Sequence, residues 1–152
     1  MVRSNEQYLS NSLTYVYKPE IGQRIKYTAN TGTTTLITAN SNLDGTGTLY
    51  TALTAGNSST NGTLIKTITI KGTKTTTRGM VRLYLKNSGL GSTSIITEIE
   101  IPAVVQVGIQ ETYEIGYEVD FMITKQWLLQ ASIQNGSEDM VIITQGLDIT
   151  FP

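Results

Sequence analysis

Three carboxylates that could do acid–base chemistry share one strand-like segment. Glu114, Glu118 and Asp120 alternate with apolar residues in the sequence TYEIGYEVDFMI, and this alternation places them on one face of a strand. Glu98 and Glu100 repeat the pattern in an earlier segment. Paired carboxylates serve glycosidases as general acid and as nucleophile or base, and carboxylate clusters also bind calcium.

The residues around these carboxylates argue against either chemistry. A sugar-cleaving site also presents several aromatic platforms, but the chain has one tryptophan, Trp127, in phase with an apolar face. The sequence has no aspartate-dense loop of the kind that surrounds calcium. A solvated or interface-facing strand is therefore the favoured interpretation, and we predict no metal site.

Another carboxylate, Asp44, opens the sequence Asp44-Gly-Thr-Gly, which invites comparison with the Asp-Thr-Gly of aspartic proteases. The register is wrong, and no similar sequence supplies the second catalytic aspartate. Gly45 and Gly47 more simply permit the positive φ angles of a tight or bulged turn. In such a turn the Asp44 carboxylate accepts hydrogen bonds from nearby backbone amides.

The chain contains no cysteine and no histidine. Disulfides, Cys or His metal sites, Cys nucleophiles and histidine acid–base pairs are therefore excluded. No Gly-rich loop precedes a Lys-Thr pair or a helix, so there is no phosphate cradle. We predict a non-enzymatic chain with no catalytic residue and no cofactor.

The elements that carry these residues are predicted to be strands. At 152 residues the chain is long enough for one domain with its own core. Thr, Ile and Val favour half-buried pleated surfaces, and apolar residues alternate strictly along residues 113–123 and 127–133. Turn sequences recur roughly every 8–12 residues, which predicts eight or nine strands in an antiparallel sandwich or barrel.

The same alternation predicts which side chains are buried. Arg82 and Tyr84 are expected to face away from the core, and Asn135-Gly136 is typical of a tight hairpin turn. The predicted core residues are Ile68, Ile70, Val81, Leu83, Leu85, Ile99, Ile115, Val119, Leu129 and Ile133.

The net charge of −1 hides a segregation along the chain. Residues 45–97 carry six basic residues and no acid, whereas residues 98–152 carry nine acids and one base. Two arrangements are open: neighbouring strands neutralise each other across a sheet, or the blocks form separate patches suited to head-to-tail association of copies. The basic block, residues 45–97, lacks interleaved aromatic residues for base stacking, so we predict no nucleic-acid binding. The candidate interface residues are Lys71, Lys74, Arg78, Arg82, Glu114, Glu118 and Asp120.

The N-terminal residues differ from the rest because they hold half of the tyrosines. Tyrosine suits interfaces, since its ring buries area while its hydroxyl keeps a partner. Leu13–Tyr17 is typical of a strand, and we divide the chain into residues 1–33, an extended N-terminal arm or first strand, and residues 34–152, the sandwich domain. The candidate interface tyrosines are Tyr8, Tyr15, Tyr17 and Tyr27.

The first residues have no apolar core of the kind found in secretory signals. No run approaches the roughly 20 apolar residues that a membrane helix needs. We therefore expect neither export by the usual route nor a membrane partner.

Several short sequences resemble those of small virion proteins of tailed bacteriophages, the all-β jelly-roll or sandwich subunits that coat heads and build fibres. They mark turns and core positions over about residues 35–151. The matching sequences are Thr38-Ala-Asn, Asp44-Gly-Thr-Gly-Thr, Leu53-Thr-Ala-Gly, the strand around Ile68 and Ile70, Gly79-Met-Val-Arg-Leu, Glu98–Ile101 with Pro102-Ala103, and LLQASIQN.

The resemblance implies a jelly-roll-like sandwich and an auxiliary or decoration protein on the capsid exterior, synthesised in the host bacterial cytoplasm. It also implies association of copies, most often as trimers, and docking on the major capsid protein or another virion protein. Two alternatives stay open: a tail-fibre, head-fibre or baseplate subunit, and a carbohydrate-binding module that attaches to host glycans. A glycan binder should expose aromatics in a groove, whereas a coat protein should hide them at subunit contacts.

The absence of histidine and cysteine generates a first prediction. Incubation with ester, peptide and glycan substrates should release no product above buffer, because the carboxylates are expected on a solvent-type face. Activity that disappears in Glu114→Gln or Glu118→Gln, but persists in Glu100→Gln, would contradict the non-enzymatic interpretation.

Overall fold

The computed structural model describes residues 25–56, 61–109, 112–136 and 140–151. Within these ranges the chain forms eight β-strands and no helix, and hence no helix long enough to cross a membrane. The strands are β1 (Lys26–Leu36), β2 (Tyr50–Thr54), β3 (Gly62–Gly72), β4 (Gly79–Asn87), β5 (Thr93–Ile101), β6 (Glu114–Ile123), β7 (Trp127–Ile133) and β8 (Met140–Thr150).

The strands form two four-stranded antiparallel sheets with the orders β1-β8-β3-β6 and β2-β7-β4-β5. The pairs β1–β8, β2–β7, β3–β6 and β4–β5 are those of one long ribbon that turns back between β4 and β5. Rolling this ribbon adds the pairs β3–β8 and β4–β7. This is the jelly-roll arrangement, so the predicted all-β, jelly-roll-like sandwich is confirmed.

Side chains from the facing sides of the two sheets form the core. Most of the predicted core residues are buried there, while Leu85, Ile115 and Val119 are partly buried and pack against it. Leu36 and Met140 belong to the core although the alternation did not single them out. The buried members of the predicted set are Ile68, Ile70, Val81, Leu83, Ile99, Leu129 and Ile133.

Along one side of the sandwich, the edge strands β1 and β2 of the two sheets come into direct contact. A Cβ atom on Gly32 would lie 1.9 Å from the backbone oxygen of Ala52, so only glycine permits this approach. The buried Thr144 donates its hydroxyl to the same oxygen at 2.8 Å. The Asn30 side-chain amide adds a further link between β1 and β2, because it donates to the Thr54 carbonyl at 2.9 Å.

The connection between β1 and β2, residues 37–49, covers part of the outer face of the second sheet. Asn40 holds this connection in shape, because its side-chain amide donates to the carbonyls of Thr46 and Thr48 at 2.9 and 2.8 Å. Its backbone amide donates to the Ile133 carbonyl at 2.7 Å, which ties the connection to β7. Asn40 is itself buried, so these groups have little access to water.

Two side chains of β4 that alternation placed on the face away from the core are buried as well. The connection lies over them, and the Tyr84 hydroxyl donates to the Asn42 carbonyl at 2.9 Å. Tyr84 is fully buried and Arg82 is 7% exposed. Both residues do face away from the main core, as predicted, and a period of two identifies which residues share a face but not what covers that face.

The predicted hairpin turn at Asn135-Gly136 is wrong. β7 and β8 belong to different sheets, so the connection between them crosses from one layer to the other. The Asn135 side chain donates to the Arg78 carbonyl at 2.9 Å and thereby fixes this crossing to the start of β4.

Strand β1 runs across the predicted domain boundary between residues 33 and 34. It pairs with β8 from Lys26 to Leu36, and residues 26–33 therefore belong to the first sheet. The other part of the predicted arm or first strand, residues 1–24, lies outside the described residues.

The contact at Gly32 generates a prediction with a matched control. Gly32→Ala should lower the free energy of unfolding by at least about 1–3 kcal/mol, because overpacking against backbone forces the sheets apart. Gly116→Ala, on edge strand β6, should have little effect, since its Cβ would meet Thr69 at an ordinary 3.5 Å. Urea unfolding measures both changes, and equal stabilities would contradict the close β1–β2 contact.

Candidate interaction surfaces

Basic and acidic residues of the two charge blocks face each other across neighbouring strands. The pairs connect β3 with β6 and the β4 region with β5, so each joins an edge strand to its inner neighbour. This geometry matches neutralisation across the sheets and leaves these charges without separate positive and negative patches. Among the residues that the structure describes, these pairs are Lys66–Asp120, Lys71–Glu114, Arg78–Glu100 and Arg82–Glu98.

Arg82 differs from the other basic residues of these pairs because it is buried. Its Nε lies 2.9 Å from a Glu98 carboxylate oxygen, and its Nη1 donates to the Asn40 carbonyl at 3.4 Å. The other three basic side chains are 46% to 77% exposed, and exposed pairs contribute only about 0–1 kcal/mol. Arg82 therefore belongs to the interior of the subunit rather than to an exposed interface.

The remaining predicted interface residues lie at different places on the sandwich. Tyr27 is 58% exposed near the start of β1, and Glu118 is exposed on β6. Lys71 and Lys74 lie toward the opposite end from Tyr27, where β3 ends and the chain turns toward β4. Tyr8, Tyr15 and Tyr17 lie outside the described residues.

The carboxylates of the described ranges are not grouped as metal ligands. Among the described residues, no group of three potential ligands is placed to hold a metal ion. Asp44 accepts hydrogen bonds from the Thr46 hydroxyl and amide at 2.7 and 3.0 Å, and these bonds lower the pKa of its carboxyl. Gly45 and Gly47 have φ of 82° and 81°, which confirms the predicted tight turn.

The connection from β5 to β6 presents an apolar surface that the sequence reasoning missed. We call Val105, Val107 and Ile109 the apolar tip, and they are 67%, 56% and 103% exposed. Their alternation within the sequence PAVVQVGI was the available signal. Apolar patches on a soluble protein mark interaction sites more often than isolated apolar residues do.

Hydrogen bonds to the β3–β4 connection hold the base of the apolar tip. The backbones of Thr76 and Val104 exchange two hydrogen bonds at 2.9 and 3.1 Å. The Thr76 hydroxyl donates to the Pro102 carbonyl at 2.7 Å, and the Gln106 amide donates to the Thr75 hydroxyl at 3.0 Å. The tip is therefore presented from a fixed support.

On the side opposite the β1–β2 contact, the other two edge strands border an open cleft of about 230 Å³. Core residues Ile68, Leu83 and Ile99 form its floor. Its walls come from both strands and are Thr97, Glu98, Tyr117 and Val119. We call this feature the β5–β6 cleft.

Trp127 lies at one end of the sandwich, beside a shallow pocket of about 380 Å³. The indole is half-buried and packs against the core, so only part of it faces the pocket. Ser88, Lys125 and Gln126 supply polar groups around it. A single partly exposed aromatic provides one stacking surface for a sugar ring rather than a groove of several.

Over the described residues, these observations define a jelly-roll sandwich of eight strands with an apolar tip and an open cleft. No protein-family model matches the chain, and no curated protein matches it. Among solved structures, the chain is similar to a chain of the capsid asymmetric unit of cyanophage Pam1. The two chains are 12% identical with a TM-score of 0.39, and the match covers 89% of this chain and 90% of that chain.

Arg82 and Arg78 allow a matched test of buried and exposed charge, because each pairs with a glutamate of β5. Arg82→Ala should lower the free energy of unfolding by about 1–3 kcal/mol, since charge-assisted hydrogen bonds and packing are lost. Arg78→Ala should cost less than about 1 kcal/mol. Equal losses in urea unfolding would contradict the assignment of Arg82 to the interior.

Proposed function

We propose that this chain is a non-enzymatic structural subunit of a tailed-phage virion, an auxiliary or decoration protein on the capsid exterior. The observation that carries the proposal is the apolar tip, because three large apolar side chains held out on a fixed support suit permanent contact with another protein. Its natural partners are copies of itself, assembled as trimers, and the major capsid protein or another virion protein.

The surroundings of the apolar tip support a protein contact. Exposed ion pairs Lys71–Glu114 and Arg78–Glu100 lie at the same end of the sandwich. An apolar centre with a polar, solvent-accessible rim is the usual anatomy of a protein interface. Because these rim charges are already paired within the subunit, we expect apolar burial to supply most of the affinity.

The virion assignment comes from the sequence resemblance, and the fold is compatible with it. Jelly rolls build viral capsid domains but also lectins and cupins, so topology alone does not select a role. The quoted motifs occupy structural positions: Asp44-Gly-Thr-Gly forms a turn, and Gly79-Met-Val-Arg-Leu begins β4. These motifs therefore support a similar fold rather than a shared binding site.

A fibre or baseplate subunit that binds host glycans is the second candidate. The pocket beside Trp127 favours it, because an indole surrounded by hydroxyl, amide and ammonium groups suits a sugar ring. Trp127→Ala should then abolish retention on host cell-wall glycans, whereas the decoration role predicts no such retention for the unchanged protein.

A double substitution at the apolar tip tests the proposal. Val105→Glu with Val107→Glu should remove co-sedimentation with capsids that lack the protein, since burying two carboxylates in an apolar contact is costly. The control, Thr31→Glu with Thr33→Glu, adds the same charge to exposed positions of β1 and should still bind. Binding by the unchanged protein should also persist at 1 M salt, where the Debye length is only about 3 Å.

Protein identification in separated heads and tails of purified virions decides the location. Recovery with heads agrees with the decoration role, and recovery with tails would overturn it in favour of the fibre or baseplate role. Absence from both fractions would overturn the virion assignment.

A further inference from the structure

An apolar patch lies on the outer face of the first sheet, at the end where β1 and β3 begin. Strand register brings its members into two neighbouring rows that cross the sheet, Leu64 with Leu147 and Met122, and Tyr27 with Ile149. Because the sheet has four strands, the patch is about 14 Å wide. The apolar patch consists of Tyr27 of β1, Leu64 of β3, Met122 of β6, Leu147 and Ile149 of β8, and Phe151 directly after β8.

Alternation turns these side chains away from the other sheet. Leu64 and Met122 each precede a residue of the core, so their own side chains lie on the opposite face. A Cβ atom on Gly62 would lie 2.9 Å from the Met122 methyl carbon, and Gly62 is the strand partner of Ile149. The Met122 side chain therefore extends over Gly62 and joins the two rows.

The composition and exposure of the apolar patch are those of an interface centre. Tyr27, Met122 and Phe151 are 58%, 44% and 49% exposed, and no member of the patch is charged. Aromatic residues and methionine are enriched at the centres of protein interfaces, where charged residues are depleted. An aromatic side chain buries about 150–250 Å², so the exposed parts of Tyr27 and Phe151 together offer about 200 Å².

The apolar patch and the apolar tip lie at opposite ends of the sandwich. The patch lies where β3 begins at Gly62, whereas the base of the tip is hydrogen-bonded to Thr76, just beyond the end of β3 at Gly72. The 11 residues of β3 hold these two ends about 34 Å apart. Any contact between the tip and the patch is therefore a contact between two copies.

The area that a stable complex needs favours use of both surfaces. Specific interfaces bury about 800 Å² per partner, and single apolar patches of about 300–600 Å² fall short of this. Two copies that met patch to patch would leave both tips in water. A head-to-tail contact lets each copy within an assembly bury its patch and its tip, so the two areas add.

We infer that the apolar tip of one copy docks on the apolar patch of the next copy in a head-to-tail contact. The side chains of the tip pack against Tyr27, Met122 and Phe151. The inference rests on the proposed self-association through the tip, and it identifies the surface that receives the tip. Head-to-tail contacts close into a ring when the rotation between copies divides a full turn, and the proposed trimer corresponds to closure after three copies.

A complementation experiment tests the contact, because each of two variants retains one of the two surfaces. The tip variant is Val105→Glu with Val107→Glu, and the patch variant is Tyr27→Glu with Met122→Glu. All four positions are exposed, so both variants should keep the urea unfolding transition of the unchanged protein. In sedimentation velocity each variant alone should be monomeric, and the mixture should contain at least tenfold more dimer than either variant alone.

The matched control is Thr31→Glu with Thr33→Glu, which adds the same charge as the patch variant to exposed positions of β1 outside the patch. It should associate like the unchanged protein. Loss of association in this control would show a general effect of charge and would overturn the inference.

Each outcome of the mixing experiment decides the inference. A tip variant that dimerises alone overturns it, because the patch then meets itself. A patch variant that associates like the unchanged protein overturns it, because the tip then meets another surface, and a patch variant that loses only capsid binding assigns the patch to a capsid protein. A mixture without added dimer also overturns it. Capsid co-sedimentation and virion fractionation decide the proposed function separately, so either proposal can fail alone.

Cross-linking supplies a second measurement with milder substitutions, because the chain has no cysteine. Protein carrying Val107→Cys is mixed with protein carrying Tyr27→Cys, and a short bis-maleimide is added. We expect at least tenfold more hetero-linked dimer than in the control mixture with Thr33→Cys, which is exposed on the same strand. Equal yields from the two mixtures would overturn the inference.

Discussion

The close approach of β1 and β2 at Gly32 is the constraint on which the shape of the sandwich depends. Backbone meets backbone there, with Thr144 bonded across the gap, so the two sheets are joined tightly along one side. The strands at the other side, β5 and β6, have no such joint, and core residues remain accessible between them. Gly32 therefore permits the side of the sandwich at β1 and β2 to close, whereas the side at β5 and β6 stays open.

Arg82 is buried, and the other basic residues of the cross-strand pairs are bonded to carboxylates. Few unpaired charges of these strands are therefore left to attract a partner. The connection over residues 37–49 covers one sheet face, and cross-strand pairs neutralise much of the charge on the edge strands. A surface with its charges paired in this way offers little electrostatic steering, so any recognition by it would depend mainly on apolar area and shape. The apolar tip and the β5–β6 cleft both have that character.

Alternation along the sequence predicted most of the sandwich because the period of a strand is a local property. It gave the strands and most of the buried residues, including Ile68 and Leu83. It did not show that Tyr84 would be covered, or that β7 and β8 would lie in different sheets, since both facts depend on long-range packing. The apolar tip was missed because its composition is that of a core strand, and only the folded chain reveals its exposure.

The pairing of β1 with β8 also limits how early in synthesis the chain can complete its fold. Asn30 and Asp148 are joined by a hydrogen bond of 2.7 Å although 118 residues separate them. Loops of this length must close before the contact stabilises anything, so chains with distant pairings fold slowly. Until β8 leaves the ribosome, β1 and β3 lack the strand that lies between them. The first sheet therefore reaches its complete order only after β8, the last of the described strands, has been synthesised.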